Sequence, residues 1–109
     1  NGAAGGAGVS LAMACDLSLA ADTARFKQAY TSVGLTPDGG WSPFVARQVG
    51  YARAAEMVLL DPVLDVQKAL ALGLVNRVVA ADELARETAR VASRLAAGPS
   101  AAFARAMPC

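Results

Sequence analysis

The first eight residues, NGAAGGAG, contain four glycines and no charge, and they run directly into the helix-like stretch VSLAMAC. Glycine tolerates positive φ and lets another group approach the backbone closely. A glycine cluster at a helix start can therefore expose backbone N–H donors to an anion or a polarised oxygen. Three partners fit such a turn: a nucleotide phosphate, a dinucleotide pyrophosphate, or the oxyanion of an acyl-transfer or enolisation reaction.

Two of these partners require residues that the chain lacks. A phosphate-binding P-loop ends in Gly-Lys followed by Ser or Thr, whereas this turn continues as Gly8-Val9-Ser10. The dinucleotide-binding pattern needs a small residue three positions after Gly8, where Leu11 stands. The oxyanion remains, together with the alternative that the glycines only permit tight packing of a helix against a sheet.

Composition excludes several other classes of function. The 109 residues are 55% hydrophobic, enough for the core of one small domain. Charged residues, glycine or proline interrupt every apolar run before it could span a membrane, and nothing resembles a signal peptide, so we expect a cytoplasmic protein. The net charge of +1 comes with scattered arginines, which predicts no nucleic-acid surface. The absence of histidine excludes Ser-His-Asp and Cys-His catalysis by this chain alone.

Cys15 and Cys109 indicate neither a disulfide framework nor a zinc site. The chain starts without methionine inside what reads as a strand-to-helix turn and ends soon after a new helix begins, so we interpret it as a fragment of a longer protein.

The residue pattern predicts an α/β chain in which short strands alternate with helices. Glycines and caps set the expected boundaries: Asp65 caps a helix that stops at Gly73, and Asp82 caps a last long helix that stops at Gly98-Pro99. The other predicted helices cover residues 8–14, 41–49 and 52–60, and the predicted strands cover residues 17–21, 25–28 and 74–79. Residues 31–40 are expected to form a loop with one helical turn.

Asp38 differs from the other eight carboxylates because it lies in the apolar loop VGLTPDGGW. A carboxylate desolvated by such a loop could act as a general base. The alternative is structural, because Pro-Asp-Gly-Gly is also favourable turn chemistry and Asp38 could cap the helix that starts at Trp41.

Four segments in this order resemble the crotonase superfamily, also called the enoyl-CoA hydratase/isomerase family: NGAAGGAGVSLAMACDLSLAADTARF, VGLTPDGGW, RQVGYARAAEMVLL and KALALGLVNRVV. The resemblance covers nearly the whole chain. It implies a crotonase-like α/β fold, a spiral of ββα repeats followed by a helical C-terminal region, with residues 1–109 forming part of one such domain.

The resemblance also implies a function. In this family a glycine-rich turn donates a backbone N–H to the thioester oxygen of an acyl-CoA, and the matching donor here is Ala7, with Gly6 beside it in the substrate pocket. A second donor would come from upstream sequence. Coenzyme A is expected only as part of the substrate, with no further cofactor and no metal. The resemblance further suggests a homotrimer or hexamer, and neither nucleic acid nor membrane is expected as a partner.

The type of reaction depends on acids and bases. The resemblance implies that hydratases of this family use two glutamates as the acid and base that add water. Ser10 and Tyr30 stand at the matching positions of this chain. Neither side chain is a useful base near neutral pH. Asp38 matches the proton-shuttling aspartate of the family's dienoyl-CoA isomerases and the nucleophilic aspartate of its 4-chlorobenzoyl-CoA dehalogenases. Its loop is also similar to that of the 1,2-epoxyphenylacetyl-CoA isomerases.

We therefore predict an isomerase-type enzyme with Asp38 as proton shuttle and with Ser10, Tyr30 and Trp41 lining the pocket. Ser10 could instead bond only backbone, and the two aromatic residues could serve the core. A hydratase or other crotonase activity, and a truncated non-catalytic assembly module, remain as alternatives.

Overall fold

Short strands and helices alternate along residues 1–107, the part of the chain that this computed structural model describes; the prediction for Cys109 lies outside these residues. The strands are β1 (Ala3–Gly5), β2 (Leu19–Ala21), β3 (Arg25–Lys27), β4 (Leu64–Asp65) and β5 (Arg77–Val79). The helices are α1 (Ala7–Met13), α2 (Trp41–Val49), α3 (Tyr51–Leu60), α4 (Val66–Ala71), α5 (Leu84–Ala96) and α6 (Ser100–Ala106), and one 3-10 turn covers Thr31–Val33.

The strands form two sheets that the chain visits in turn. β3 lies between β1, to which it is parallel, and β4, to which it is antiparallel, while β2 pairs in parallel with β5. The chain thus passes twice from the first sheet, through helices, to the second sheet. The first passage runs from β1 through α1 to β2, and the second runs from β3 to β5. This winding confirms the predicted crotonase-like spiral, in which equivalent strands of successive turns stack in register.

The core lies where the helices cover these small sheets. α1 packs against α2, and α2 packs against α3. Trp41 is 0% exposed and is among the largest fully buried side chains. The other buried apolar residues come from every layer of the spiral: Val9, Met13, Ala20, Ala21, Ala24, Phe26, Tyr30, Val45, Ala54, Met57, Leu64, Val66, Ala69, Leu74 and Val75.

One predicted helix cap is confirmed and one is wrong. The Asp65 carboxylate accepts the backbone N–H of Lys68 at 2.9 Å and caps α4. Asp82 does not cap α5, because the helix begins at Leu84 and its N-cap residue is Glu83, whose side chain makes no capping bond. The Glu83 N–H donates to the Ala80 carbonyl, so residues 80–83 form a turn that moves the helix start past Asp82.

The C-terminal helices pack less deeply than the rest. No residue of α5 or α6 is buried, and Leu95 and Phe103 stay exposed. α5 is therefore only partly covered, by its contact with β2. None of the helices within residues 1–107 has the length and apolar character needed to cross a bilayer.

Candidate active site

The glycine turn joins β1 to α1. Gly6 has φ of 52° and ψ of −123°, a conformation in which a side chain would be strained. Its N–H donates to the Lys27 carbonyl at 3.1 Å, which fixes the turn to β3. Within residues 1–107 the N–H of Ala7 has no acceptor, and Ala7 is exposed. An exposed and unbonded backbone donor is what an oxyanion hole requires, and its use in catalysis stays a prediction.

A second turn brings Asp38 next to α1. Gly39 and Gly40 have φ of 59° and 80°, and Gly40 is the N-cap residue of α2. The Asp38 carbonyl accepts two hydrogen bonds, one from the Trp41 N–H at 2.9 Å and one from the Ser10 hydroxyl at 3.1 Å. The Asp38 carboxylate does not cap α2, because the backbone of the turn already does so and leaves the side chain available for another partner.

That partner is Tyr30. The Tyr30 hydroxyl donates to Asp38 Oδ1 at 2.7 Å, and the phenol ring lies beside the glycine turn, with its Cζ 3.7 Å from where a Cβ on Gly6 would stand. The hydrogen bond to Asp38 raises the pKa of the Tyr30 phenol above its ordinary value, and burial adds to the effect. The phenol is therefore protonated at neutral pH and donates to the carboxylate.

The surroundings of Asp38 differ from the expected enclosure. The sequence predicts a carboxylate desolvated by apolar neighbours, but Asp38 is exposed within the described chain. The reason is that Val33 and Leu35 of the same loop are themselves exposed and do not fold over it. Tyr30 is 8% exposed and covers one flank of the carboxylate.

The structure brings most predicted site residues together. Gly6, Ala7 and Ser10 lie on the first turn of α1 or just before it, and Tyr30 and Asp38 face them. The Ser10 hydroxyl bonds backbone, as the structural interpretation expects. Trp41 follows the Asp38 turn but lies in the core, where its indole N–H finds no acceptor among the described residues. Its role as a pocket wall stays a prediction.

Two features of the site give no signal in the sequence. The Tyr30–Asp38 hydrogen bond depends on how a nine-residue loop closes, which local propensity does not define. Ala29, just before Tyr30, has φ of 58°, an uncommon value for a residue with a Cβ, which costs about 1–2 kcal/mol. Alanine gives no sign of this left-handed conformation in the sequence, because the residues that adopt it routinely are glycine and, less often, asparagine and aspartate.

Residues 1–107 contain no cluster of three or more metal-ligating side chains.

Comparisons with known proteins show what the chain as a whole is similar to. Residues 1–108 match the family model described as enoyl-CoA hydratase/isomerase. A Rhodobacter capsulatus protein named "Probable enoyl-CoA hydratase" is 44% identical over 104 residues, which cover 95% of this chain and 40% of that protein. The trans-2-decenoyl-(acyl-carrier-protein) isomerase of Streptococcus mutans is 38% identical over 98 residues, which cover 90% of this chain and 37% of that protein.

Solved structures give the same result. The crystal structure of an enoyl-CoA hydratase from Mycobacterium avium subsp. paratuberculosis K-10 is similar with a TM-score of 0.92 and 50% identity, over 96% of this chain and 44% of that one. The present chain thus spans about two fifths of the length of the curated relatives that it matches.

Proposed function

The chain belongs to the enoyl-CoA hydratase/isomerase family, and from this premise we propose that the whole protein is an isomerase that shifts a double bond or rearranges an acyl-CoA thioester. The substrate class follows from the family, whereas the type of reaction follows from this chain's own acids and bases. One carboxylate, Asp38, stands beside the glycine turn, and the two positions where a pair of glutamates is expected for hydration hold Ser10 and Tyr30.

The reaction needs one proton carrier and one oxyanion donor. Asp38 takes a proton from one carbon of the acyl chain, and the electron pair of that C–H bond moves into the conjugated system and onto the thioester oxygen. The Ala7 N–H donates to this oxygen and stabilises the enolate. Asp38 then returns the same proton to another carbon, the double bond re-forms at its new place, and no water is consumed.

The observation that carries the proposal is the 2.7 Å hydrogen bond between the Tyr30 hydroxyl and Asp38 Oδ1. The Asp38 side chain makes no capping hydrogen bond to α2, so its carboxylate is available to the phenol. The phenol instead holds one carboxylate oxygen in a fixed place beside Gly6. Fixed placement of the reacting group is what proton transfer between two carbons of one substrate requires.

The test replaces the carboxylate in the whole protein. Asp38→Asn keeps the shape of the side chain but removes the base, so kcat for isomerisation of a trans-3-enoyl-CoA should fall at least about a hundredfold, the lower end for a lost general base. Thioester binding and melting temperature should stay near those of the parent. Asp22→Asn, at an exposed turn, is the matched control. Full activity of Asp38→Asn would eliminate the proton-shuttle role.

Hydration of an enoyl-CoA is the second candidate, because the Rhodobacter capsulatus relative is named a hydratase. The two candidates separate in one assay. If Ser10 and Tyr30 replace the acid–base pair of a hydratase, the whole protein should hydrate crotonyl-CoA negligibly while still moving the double bond of 3-enoyl substrates. Rapid hydration with no isomerisation would favour the second candidate. Absence of both activities would favour a non-catalytic assembly module.

Assembly is part of the same proposal. The family resemblance suggests a homotrimer or hexamer, and α3 supports association because Leu59 and Leu60 are exposed at its C-terminal end. The mass in solution, measured by light scattering, tests the oligomeric state independently of activity.

A further inference from the structure

We propose that Asp61 is a positioning residue for the Tyr30–Asp38 pair, because its carboxylate fixes the backbone of Ala29, the residue directly before Tyr30. The importance of the pair in catalysis rests on the proposed function, whereas the effect of Asp61 on Tyr30 does not. Asp61 lies at the C-terminal end of α3, 31 positions after Tyr30 in the chain.

Both oxygens of the Asp61 carboxylate contact the segment that carries Tyr30. Its Oδ1 accepts the Ala29 N–H at 3.0 Å, and its Oδ2 lies 3.3 Å from Lys27 Nζ. The Asp61 side chain is 8% exposed, so its contact with Ala29 is shielded from water, whereas the Lys27 side chain is 39% exposed. The free groups at the C-terminal end of α3 are carbonyl acceptors, to which a carboxylate cannot donate, and the Asp61 carboxylate bonds a residue 32 positions away instead.

Ala29 needs such support because of its conformation. Its φ of 58° lies in the left-handed region, which a residue with a Cβ enters only when its surroundings hold it there. On the other side, the Tyr30 N–H donates to Oε1 of the buried Gln28. The peptide groups on both sides of Ala29 are thereby fixed, and the phenol ring is directed over Gly6 towards Asp38.

The protonation state of Asp61 suits this role. Burial by itself would raise the pKa of this carboxyl, but the Ser32 hydroxyl, the Ala29 N–H and the Lys27 ammonium outweigh burial and lower the pKa below its ordinary value. Asp61 is therefore a charged acceptor throughout the neutral range. Asp61 itself has φ of 46°, a conformation that glycine adopts freely and asparagine tolerates well.

These backbone preferences provide a matched pair of variants. Asp61→Gly relieves the backbone at position 61 and removes the carboxylate, so any effect reports the lost contacts rather than a strained helix end. Asp61→Asn keeps an oxygen for the Ala29 N–H and tests rescue by a conservative change. Both are made in the whole protein labelled with ¹³Cζ-tyrosine, in which the Tyr30 resonance is identified by its absence from Tyr30→Phe.

The expected readout is the titration of Tyr30. In the parent protein the Tyr30 resonance should titrate above the ordinary tyrosine value of about 10. In Asp61→Gly it should titrate at or near that value, and kcat should fall about tenfold, as expected for a displaced reacting group. Asp61→Asn should restore both properties towards those of the parent. Melting temperature and circular dichroism at each pH show which points refer to folded protein.

The outcomes separate the two proposals. An unchanged Tyr30 titration in folded Asp61→Gly overturns the positioning role and leaves the isomerase proposal intact. A shifted titration with unchanged kcat supports the positioning of Tyr30 but contradicts a catalytic use of the Tyr30–Asp38 pair. If Asp61→Gly does not fold, hydrogen exchange of the Ala29 amide in the parent protein is the second test, because a bond to the Asp61 carboxylate should protect this N–H. An Ala29 amide that exchanges as fast as an unbonded one overturns the positioning role.

Discussion

The proposed reaction uses one group from each of three residues: the hydroxyl of Tyr30, the carboxylate of Asp38 and the backbone N–H of Ala7. Tyr30 has two roles: its ring is buried in the core, and its hydroxyl donates a hydrogen bond to Asp38. In the proposed reaction Ala7 contributes only its backbone N–H, and its methyl side chain has no role. Substitutions at these residues can therefore separate backbone from side-chain functions.

The first prediction concerns the N–H of Ala7. Ala7→Gly keeps the N–H and should retain most activity of the whole protein, whereas Ala7→Pro removes it and should lower kcat/KM by about two to three orders of magnitude. Ala7 is the first residue of α1, a position where proline is tolerated, so the helix should survive. Circular dichroism and melting temperature serve as the controls. Normal turnover by a folded Ala7→Pro variant would leave the glycine segment as a packing turn.

A second prediction concerns the hydroxyl of Tyr30. Tyr30→Phe keeps the buried ring and removes the donor, so Asp38 should lose its fixed orientation and kcat should fall about tenfold with KM little changed. The control is Tyr51→Phe, because Tyr51 is 84% exposed and distant in sequence from the site. Steady-state kinetics of both variants decide the matter: equal kcat values in the two would show that the phenol only packs against Gly6.

At the scale of helices and strands, the site depends on where helices begin. α1 begins directly after Gly6, and α2 begins after Gly40, so both helix starts are formed by glycines with positive φ rather than by side-chain caps. This leaves polar side chains near both starts free for other bonds. A carboxylate that caps a helix and one that merely precedes a helix look alike in the sequence. The structure distinguishes them, as Asp65 and Asp82 illustrate.

This difference gives a third prediction, on stability. Asp65→Ala removes the acceptor for the Lys68 N–H and should lower the free energy of unfolding by about 1 kcal/mol, a usual cost for a lost N-cap. Asp82→Ala should change it by less than about 0.5 kcal/mol, because Asp82 is exposed and caps nothing. Urea denaturation of both variants measures the difference. Equal losses would contradict the assigned start of α5.

At the scale of the whole molecule, one carboxylate connects the spiral to the C-terminal helices. Glu87 on α5 accepts from Arg90 on the same helix and from Arg77 on β5, each at 2.7 Å to Oε1. Hydrogen bonds from Arg90, and then from Arg77, lower the pKa of Glu87 from 4.5 to about 2. Because α5 has no buried residue, this ionic contact contributes to how α5 is held against the sheets.

The fourth prediction follows from the sign of that shift. The folded-state pKa lies below the unfolded-state value, so the Glu87 pairs stabilise the fold above about pH 4.5, and their contribution is lost as pH falls towards 2. Glu87→Gln should therefore lower the melting temperature at pH 6 and have little effect near pH 2. Glu56→Gln, which removes an exposed pair within α3, is the control. An effect of Glu87→Gln that is the same at both pH values would exclude this linkage.

The sequence by itself determined the alternation of elements and the place of the two turns. Glycine and proline act locally, through the φ values that each residue can adopt, and apolar periodicity acts within one helix or strand. For this reason α2, α3 and the Asp65 cap could be predicted, and the chain could be identified by resemblance as a crotonase spiral. Asp38 was found as a candidate from its loop composition, whereas Ala7 and Gly6 were assigned through the family resemblance of the glycine turn.

Only the tertiary structure decided which groups meet. The hydrogen bond from Tyr30 to Asp38 and the contact of Asp61 with Ala29 join positions that are 8 and 32 residues apart, and local propensity carries no information on such distances. The exposure of Asp38 likewise depends on whether Val33 and Leu35 fold over it, which the loop composition did not decide. The physical reason is that φ preferences and periodicity are properties of a segment, whereas burial and hydrogen bonding between segments exist only once the spiral has brought them together.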